Sequence, residues 1–113
     1  MRQEVSPMKR YDVCWASLDP TCGSEMAKTK PVVIVSLDAL NASLKTVTVC
    51  PLTSQLHPVW RSRLQIQCNN RPAEIAVDQI RTISKTRLGG TLTRLIEAEA
   101  TALRRMITEM YGE

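Results

Sequence analysis

The residues able to do chemistry are few. The chain holds one histidine, His57, and four cysteines, Cys14, Cys22, Cys50 and Cys68. The cysteines are scattered without a Cys-x-x-Cys pair, so a structural zinc site is not expected. With no export signal ahead of them, the four thiols read as reduced and mostly buried. Fifteen Lys and Arg against eleven Asp and Glu give a net charge of +4 and a pI near 9.1, a moderate excess that favours polyanionic partners. Its distribution is more informative than its size. No acidic residue occurs between Asp38 and Glu74, whereas Lys45, Arg61, Arg63 and Arg71 all fall there, so the middle of the chain suits phosphate. Further on, Asp78-Gln79-Ile80-Arg81 is read as strand, which sets Asp78 and Ile80 on one side and Gln79 and Arg81 on the other. Trp15 could stack on a flat ring, but a tryptophan in a first strand is more often core.

These groups need elements to hold them. After a polar leader ending at Pro7, Val13 to Leu18 reads as a first strand stopped by Asp19-Pro20, and Thr21 to Lys30 as a loop. Pro31 to Leu37 is a continuous β-branched run of the kind buried on both faces, hence a central strand. Asp38 is placed to cap a single helical turn through Asn41. Thr46 to Cys50 alternates as a third strand, which Pro51 closes or redirects. Arg63 to Cys68 and Glu74 to Val77 form a hairpin, with Asn69-Asn70-Arg71-Pro72 as turn chemistry. Gly89-Gly90 marks a break, and Thr93 is the expected N-cap of a terminal helix. On that helix Ile96, Ala100, Leu103, Ile107 and Met110 make the apolar face.

The chain has 113 residues and 12.7 kDa, which suits a single domain spanning 1–113. Hydrophobic residues at 43% and charged residues at 23% exclude disorder for the bulk of it. No apolar run approaches a membrane span and the N-terminal residues lack a signal peptide's apolar core, so a cytoplasmic protein without membrane contact is expected. Five or so short strands and one helix predict a mainly β (α+β) fold, a small barrel or curled antiparallel sheet closed by a C-terminal α-helix.

Five blocks then carry a resemblance: Arg10-Tyr11-Asp12-Val13-Cys14-Trp15, Leu18-Asp19-Pro20-Thr21-Cys22-Gly23-Ser24-Glu25, Lys30 to Ser36, Pro51-Leu52-Thr53-Ser54, and Val77-Asp78-Gln79-Ile80-Arg81-Thr82-Ile83. In order and spacing, from about Lys9 to Tyr111, they resemble the MazF/PemK/Kid family, bacterial toxins of toxin–antitoxin pairs. The resemblance implies an SH3-like barrel and a homodimer. It implies a metal-independent endoribonuclease, without cofactor, that cuts single-stranded RNA such as mRNA at short sequences. It also implies a MazE-like antitoxin whose acidic, disordered tail fills the RNA groove.

Such cleavage uses the ribose 2′-hydroxyl as nucleophile and leaves a 2′,3′-cyclic phosphate and a 5′-hydroxyl. A base must take the 2′ proton, an acid must protonate the 5′ oxygen, and cations or donors must stabilise the phosphorane. One histidine excludes a two-histidine mechanism. Lys30 stands where the family normally has a catalytic arginine; it keeps the charge as a point, loses the planar fork, and can deliver a proton. Thr53 matches the threonine that bonds the scissile phosphate, with Ser54 beside it. Glu25 falls on the family's glutamate, as base or as a group orienting the RNA, and Lys28 lies on the same path. Gln79 and Arg81 are expected on base edges or phosphate, with a structural pairing of Arg81 to a carboxylate as the competing reading. Asp78 is expected to fasten its strand or tune a neighbouring cation. In the segment that lines the family's RNA path, Arg61 and Arg63 are the phosphate contacts, while His57 beside Pro58 is expected to be exposed and idle. The family usually has glycine where Tyr11 stands. Two rival functions follow from the same resemblance: a dimer of this fold that binds RNA or antitoxin with weakened turnover, and a gyrase-targeting toxin like CcdB.

Overall fold

The computed structural model describes residues 8–18 and 29–112. Among the described residues seven strands, all paired antiparallel, carry the fold: β1 (Asp12–Ser17), β2 (Thr29–Ile34), β3 (Thr46–Thr53), β4 (Arg63–Cys68), β5 (Arg71–Ala76), β6 (Arg81–Ser84) and β7 (Leu88–Arg94). A short helix α1 (Asp38–Ser43) joins β2 to β3, and α2 (Glu97–Tyr111) ends the chain. The sheet runs β4-β5-β3-β2-β1-β7, with β6 attached to β3.

β3 is where the sheet curls. One of its edges meets β2 through Val49, Cys50 and Pro51. The other pairs with β6 along Thr46 to Val49 and then with β5 at Leu52 and Thr53. Pro51 therefore redirects the sheet without ending the strand, and the strand it continues delivers Thr53 to the concave side of the hairpin.

The β-branched run is central and buried on both faces, as its pattern predicts. Val33 and Val35 enter one cluster with Val13, Cys50, Leu52, Ile75 and Leu103. Val32 and Ile34 enter a second with Cys14, Ala16, Val47, Val49 and Ile83. Successive strand residues point to opposite faces, so a run without polar interruptions can serve two cores at once.

Several expected boundaries move. Asp38 does not cap α1: Leu37 is the N-cap, and the Asp38 carboxylate accepts the backbone N–H of Arg10 at 2.7 Å. Only Asn69 and Asn70 form the hairpin turn, both in the left-handed region at φ 53° and 67°, and strand resumes at Arg71. Gly89 and Gly90 do not break the chain. They lie inside β7, neither at positive φ, where the ladder to β1 shifts register on both sides of Cys14. Thr93 is a strand residue opposite Val13, and α2 begins instead after Ile96, whose N–H is capped by the Glu99 carboxylate at 3.1 Å. The second oxygen of Glu99 accepts the N–H of Gln67, tying the helix start to β4. Ala100 and Leu103 bury the helix against its own sheet, while Ile96 is exposed.

Asp78 to Arg81 is not the single strand its alternation predicts. Val77–Gln79 is a 3-10 turn closed by Ile80 N–H on the Val77 carbonyl at 3.2 Å, and β6 starts only at Arg81. Burial of Val77 and the grip of Arg63 on Asp78 hold the turn, and the hydroxyl of Tyr111 donates to the Val77 carbonyl at 3.1 Å. The predicted two-sided split of these four residues therefore does not occur.

Candidate active site

Two adjoining cavities of about 580 and 360 Å³ open on the curl of the sheet and share Lys30, Leu52 and Thr53. Lys30 reaches them from the start of β2, opposite Ala16, and Thr53 from the end of β3, opposite Glu74. Two residues 23 positions apart are thus brought to one cleft because β2 and β3 run side by side. The Thr53 hydroxyl accepts the N–H of Gln55 at 3.0 Å, which fixes its oxygen at the strand end and leaves its proton free to donate. The larger lobe is completed by Trp15, Ser54, Asn69 and Arg71 among others, and the smaller by Gln79, Gln55, His57 and Trp60.

Of the residues expected at the site, Lys30, Thr53, Ser54, Gln79 and Arg63 line these lobes. Arg81 stands on β6 opposite Val49, exposed, outside both lobes and without an ion pair among the described residues. Arg61 is exposed in the β3–β4 connection. Glu25 and Lys28 lie outside the described residues. Trp15 is not core: it is 40% exposed and lines the larger lobe.

Arg63 lines the smaller lobe, but two of its nitrogens are already paired with carboxylates. Its side chain is only 7% exposed; its Nη1 donates to Glu74 Oε2 at 2.7 Å and its Nε to Asp78 Oδ1 at 2.8 Å. Both carboxylates respond. The Asp78 carboxyl lies below its ordinary range, chiefly through the bond from Arg63. Burial pushes the Glu74 carboxyl up, but bonds from Gln65, from the backbone and ring of His57, and from Arg63 outweigh it and hold it down at about 2. The Arg63 guanidinium is correspondingly raised, first by Asp78 and against the cost of its own burial.

His57 is not idle. Its N–H and its Nδ1 both contact Glu74, the latter at 2.9 Å from Oε2, and its ring stacks on Trp60 at 3.9 Å between centroids. Burial raises the thiols of Cys14 and Cys68 and pushes Cys50 to about 12, so these three are poor nucleophiles. What the sequence does not display is the buried Glu74 and the convergence on it of His57 from the β3–β4 connection and of Arg63 and Gln65 from β4.

Residues 9–111 match a family model described as PemK-like, MazF-like toxin of type II toxin–antitoxin system. Among curated proteins, endoribonuclease EndoA of Bacillus subtilis is 33% identical over 93 residues, covering 78% of this chain and 80% of its own. Among solved structures, a MazE–MazF crystal structure from Deinococcus radiodurans superposes with a TM-score of 0.80, covering 96% of this chain and 98% of that chain at 16% identity. A mycobacterial endoribonuclease in complex with its cognate antitoxin gives 0.76, with 96% of each chain covered at 20% identity. At those identities the two structures speak for the fold, the curled antiparallel sheet with its C-terminal helix.

Proposed function

This chain belongs to the PemK-like, MazF-like family of toxins of type II toxin–antitoxin systems, and on that premise we propose that its cleft cuts single-stranded RNA by attack of the ribose 2′-hydroxyl. It is an endoribonuclease, as its curated relatives are. The observation that carries the reading is the meeting of Lys30 and Thr53 at the junction of two adjoining cavities of about 580 and 360 Å³.

Thr53 donates to a non-bridging phosphate oxygen. Lys30 Nζ stabilises the charge that builds on the phosphorane and protonates the 5′ oxygen as the bond to phosphorus breaks. Gln79 reads a base edge in the smaller lobe, with Ser54 on the phosphate in the larger. Arg61 and Arg81 guide the strand from outside the cleft, and Lys28 is a further phosphate contact. Asp78 supports the site by holding Arg63. Glu25 serves as base or orients the RNA. The products are a 2′,3′-cyclic phosphate and a 5′-hydroxyl, and no metal or cofactor takes part. The chain is one toxin domain, 1–113, working in the cytoplasm as a homodimer. A MazE-like antitoxin with an acidic segment neutralises it by occupying the positive cleft. No helix among the described residues is long and apolar enough to cross a membrane. No observation favours a binding module without turnover or a gyrase poison.

The test is purified protein on a long, mostly unstructured RNA in EDTA, with cut sites mapped and end groups assigned, beside Lys30→Ala and Lys30→Arg. Cutting at one short motif with cyclic phosphate ends, lost in Lys30→Ala, is expected. An inert wild type whose Lys30→Arg variant cuts would mean a disarmed toxin, and neither cutting would leave a binding protein.

A further inference from the structure

The structure assigns the general base of this reaction to His57, held in place by Glu74. The inference rests on the endoribonuclease reading above and adds to it a residue that the sequence had left as an exposed bystander.

Glu74 is a carboxylate with no exposed surface, sitting on a strand between apolar residues. Such a group is costly unless every lone pair is used. Here they are used: Oε1 accepts from the His57 backbone and from Gln65 Nε2, and Oε2 accepts from Arg63 Nη1 and from the His57 ring. In their 2.9 Å contact the ionised Glu74 carboxylate accepts and Nδ1 of His57 donates; Arg63 Nη1, itself a donor 3.3 Å from the same nitrogen, then stands beside it without a hydrogen bond to it. That fixes the tautomer. The proton is on Nδ1, and the lone pair of a neutral ring is on Nε2, which has no hydrogen bond among the described residues.

The ring is also braced. Stacking on Trp60 at an interplanar angle of 20° sets its plane, and it lines the lobe that also contains Lys30, Thr53 and Gln79. Charged groups stand on several sides of it. Arg63 Nη1 lies 3.3 Å from Nδ1 and already neutralises Glu74, Asp78 engages the far side of Arg63, and Lys30 faces the same lobe. Glu74 therefore orients the imidazole and steadies the imidazolium that forms in the reaction.

Nε2 of neutral His57 takes the 2′ proton, the 2′ oxygen forms its bond to phosphorus, and the bond from phosphorus to the 5′ oxygen breaks. The 5′ oxygen takes a proton from Lys30, and exchange with water returns a proton to Lys30 and removes one from His57. Glu25 is left the orienting role. Glu74 is a positioning residue, since it acts only through His57.

The experiment uses tag-free protein, so that His57 is the only imidazole, and single-turnover cleavage of a short RNA bearing the mapped cut site. His57→Gln is expected to slow cleavage by about 10²–10⁴-fold while RNA affinity stays within about threefold, the split expected of a group that acts in the transition state. The wild-type acid limb, one proton lost before cleavage, should vanish in His57→Gln. Its midpoint should coincide with the titration of the single histidine followed by NMR. Nitrogen shifts should show the Nδ1–H tautomer in wild type. Glu74→Gln should slow cleavage and mix the tautomers; should that variant not fold, rescue of His57→Ala by free imidazole serves instead. Wild-type rate and pH profile in His57→Gln, or an Nε2–H tautomer in wild type, would overturn the inference. Cutting lost in Lys30→Ala but kept in His57→Gln sinks this inference alone, whereas an inert wild type sinks the endoribonuclease reading with it.

Discussion

Arg63 and Glu74 face each other diagonally across the β4–β5 hairpin, Nη1 to Oε2 at 2.7 Å, while Nε of the same guanidinium holds Asp78 at 2.8 Å. One cation thus joins two strands and the turn that presents Gln79. Arg61, two residues earlier, is exposed. The two arginines should therefore fail differently. Arg63→Met is expected to lose roughly 3–5 kcal/mol of stability, the cost of leaving a buried carboxylate unpaired. Arg61→Ala should leave stability alone and weaken RNA binding, with the slope of log affinity against log salt smaller by about 0.7. Urea unfolding and a salt series of binding titrations on both variants check this. Equal salt slopes for Arg61→Ala and wild type would remove Arg61 from the RNA path.

Glu74 also sets an acid limit on the fold. Its carboxyl is held at about 2 in the folded protein against an ordinary 4.5. A depressed folded value means stability that is fully present above 4.5 and is drained as the pH falls towards 2, where the native carboxylate at last takes a proton. The amount is about 3 kcal/mol. Urea midpoints of wild type should fall steeply across that window. Those of Glu74→Gln should start lower and fall less, because its amide has no proton to take up.

Tyr11 sits at φ 74°, in the left-handed region that costs a side-chain-bearing residue roughly 1–2 kcal/mol. Its backbone cannot relax. Its N–H donates to Ile34 at 2.7 Å and its carbonyl accepts from Leu95 at 3.1 Å, so the turn is fixed on both sides. The ring recovers part of the cost by packing on the core and by accepting from Arg104 at 3.2 Å. Comparing two truncations isolates the backbone contribution. Tyr11→Gly should be more stable than Tyr11→Ala by about 1 kcal/mol, the reverse of the usual order inside regular structure. Thermal or urea unfolding decides it, and Ala equal to or above Gly would show that the turn is not strained.

The central strand, the hairpin and the terminal helix were legible because each rests on a pattern of its own: a β-branched run, clean alternation around Asn69-Asn70, and a four-and-three apolar spacing. The cleft was legible in part. Lys30, Thr53 and Gln79 were found through the blocks they sit in, but Glu74 was not, although the hairpin contained it. Taking Asn69 to Pro72 as the turn hides the register. A two-residue turn at Asn69-Asn70 places Cys68 opposite Arg71 and so Gln65 opposite Glu74, with Arg63 the diagonal neighbour. Counting back from those two asparagines would have put an acid among a glutamine and an arginine. His57 joining them depends on how the β3–β4 connection folds back, which no local pattern encodes. The same holds for Asp78 to Arg81, where alternation was real and tertiary contacts imposed a 3-10 turn.

Trp15 lies on the same face of β1 as Val13, yet it is 40% exposed and lines the larger lobe beside Lys30. A ring there can stack an unpaired base next to the phosphate, whichever base it is. Little of the fold depends on it: its neighbours across the ladders are Pro31 and the glycine-containing part of β7, where a Cβ at Gly89 would meet Trp15 Cβ at 3.5 Å. Trp15→Ala is therefore expected to weaken RNA binding by about 1–3 kcal/mol, roughly 5- to 150-fold, and to change unfolding stability much less. Trp15→Phe should recover most of the affinity, since the smaller ring still offers a face. In wild type, RNA should quench tryptophan emission, with Trp15→Ala losing part of that signal and Trp60 supplying the rest. Affinity unchanged in Trp15→Ala would mean that the larger lobe holds the RNA backbone alone, with its bases turned away from the sheet.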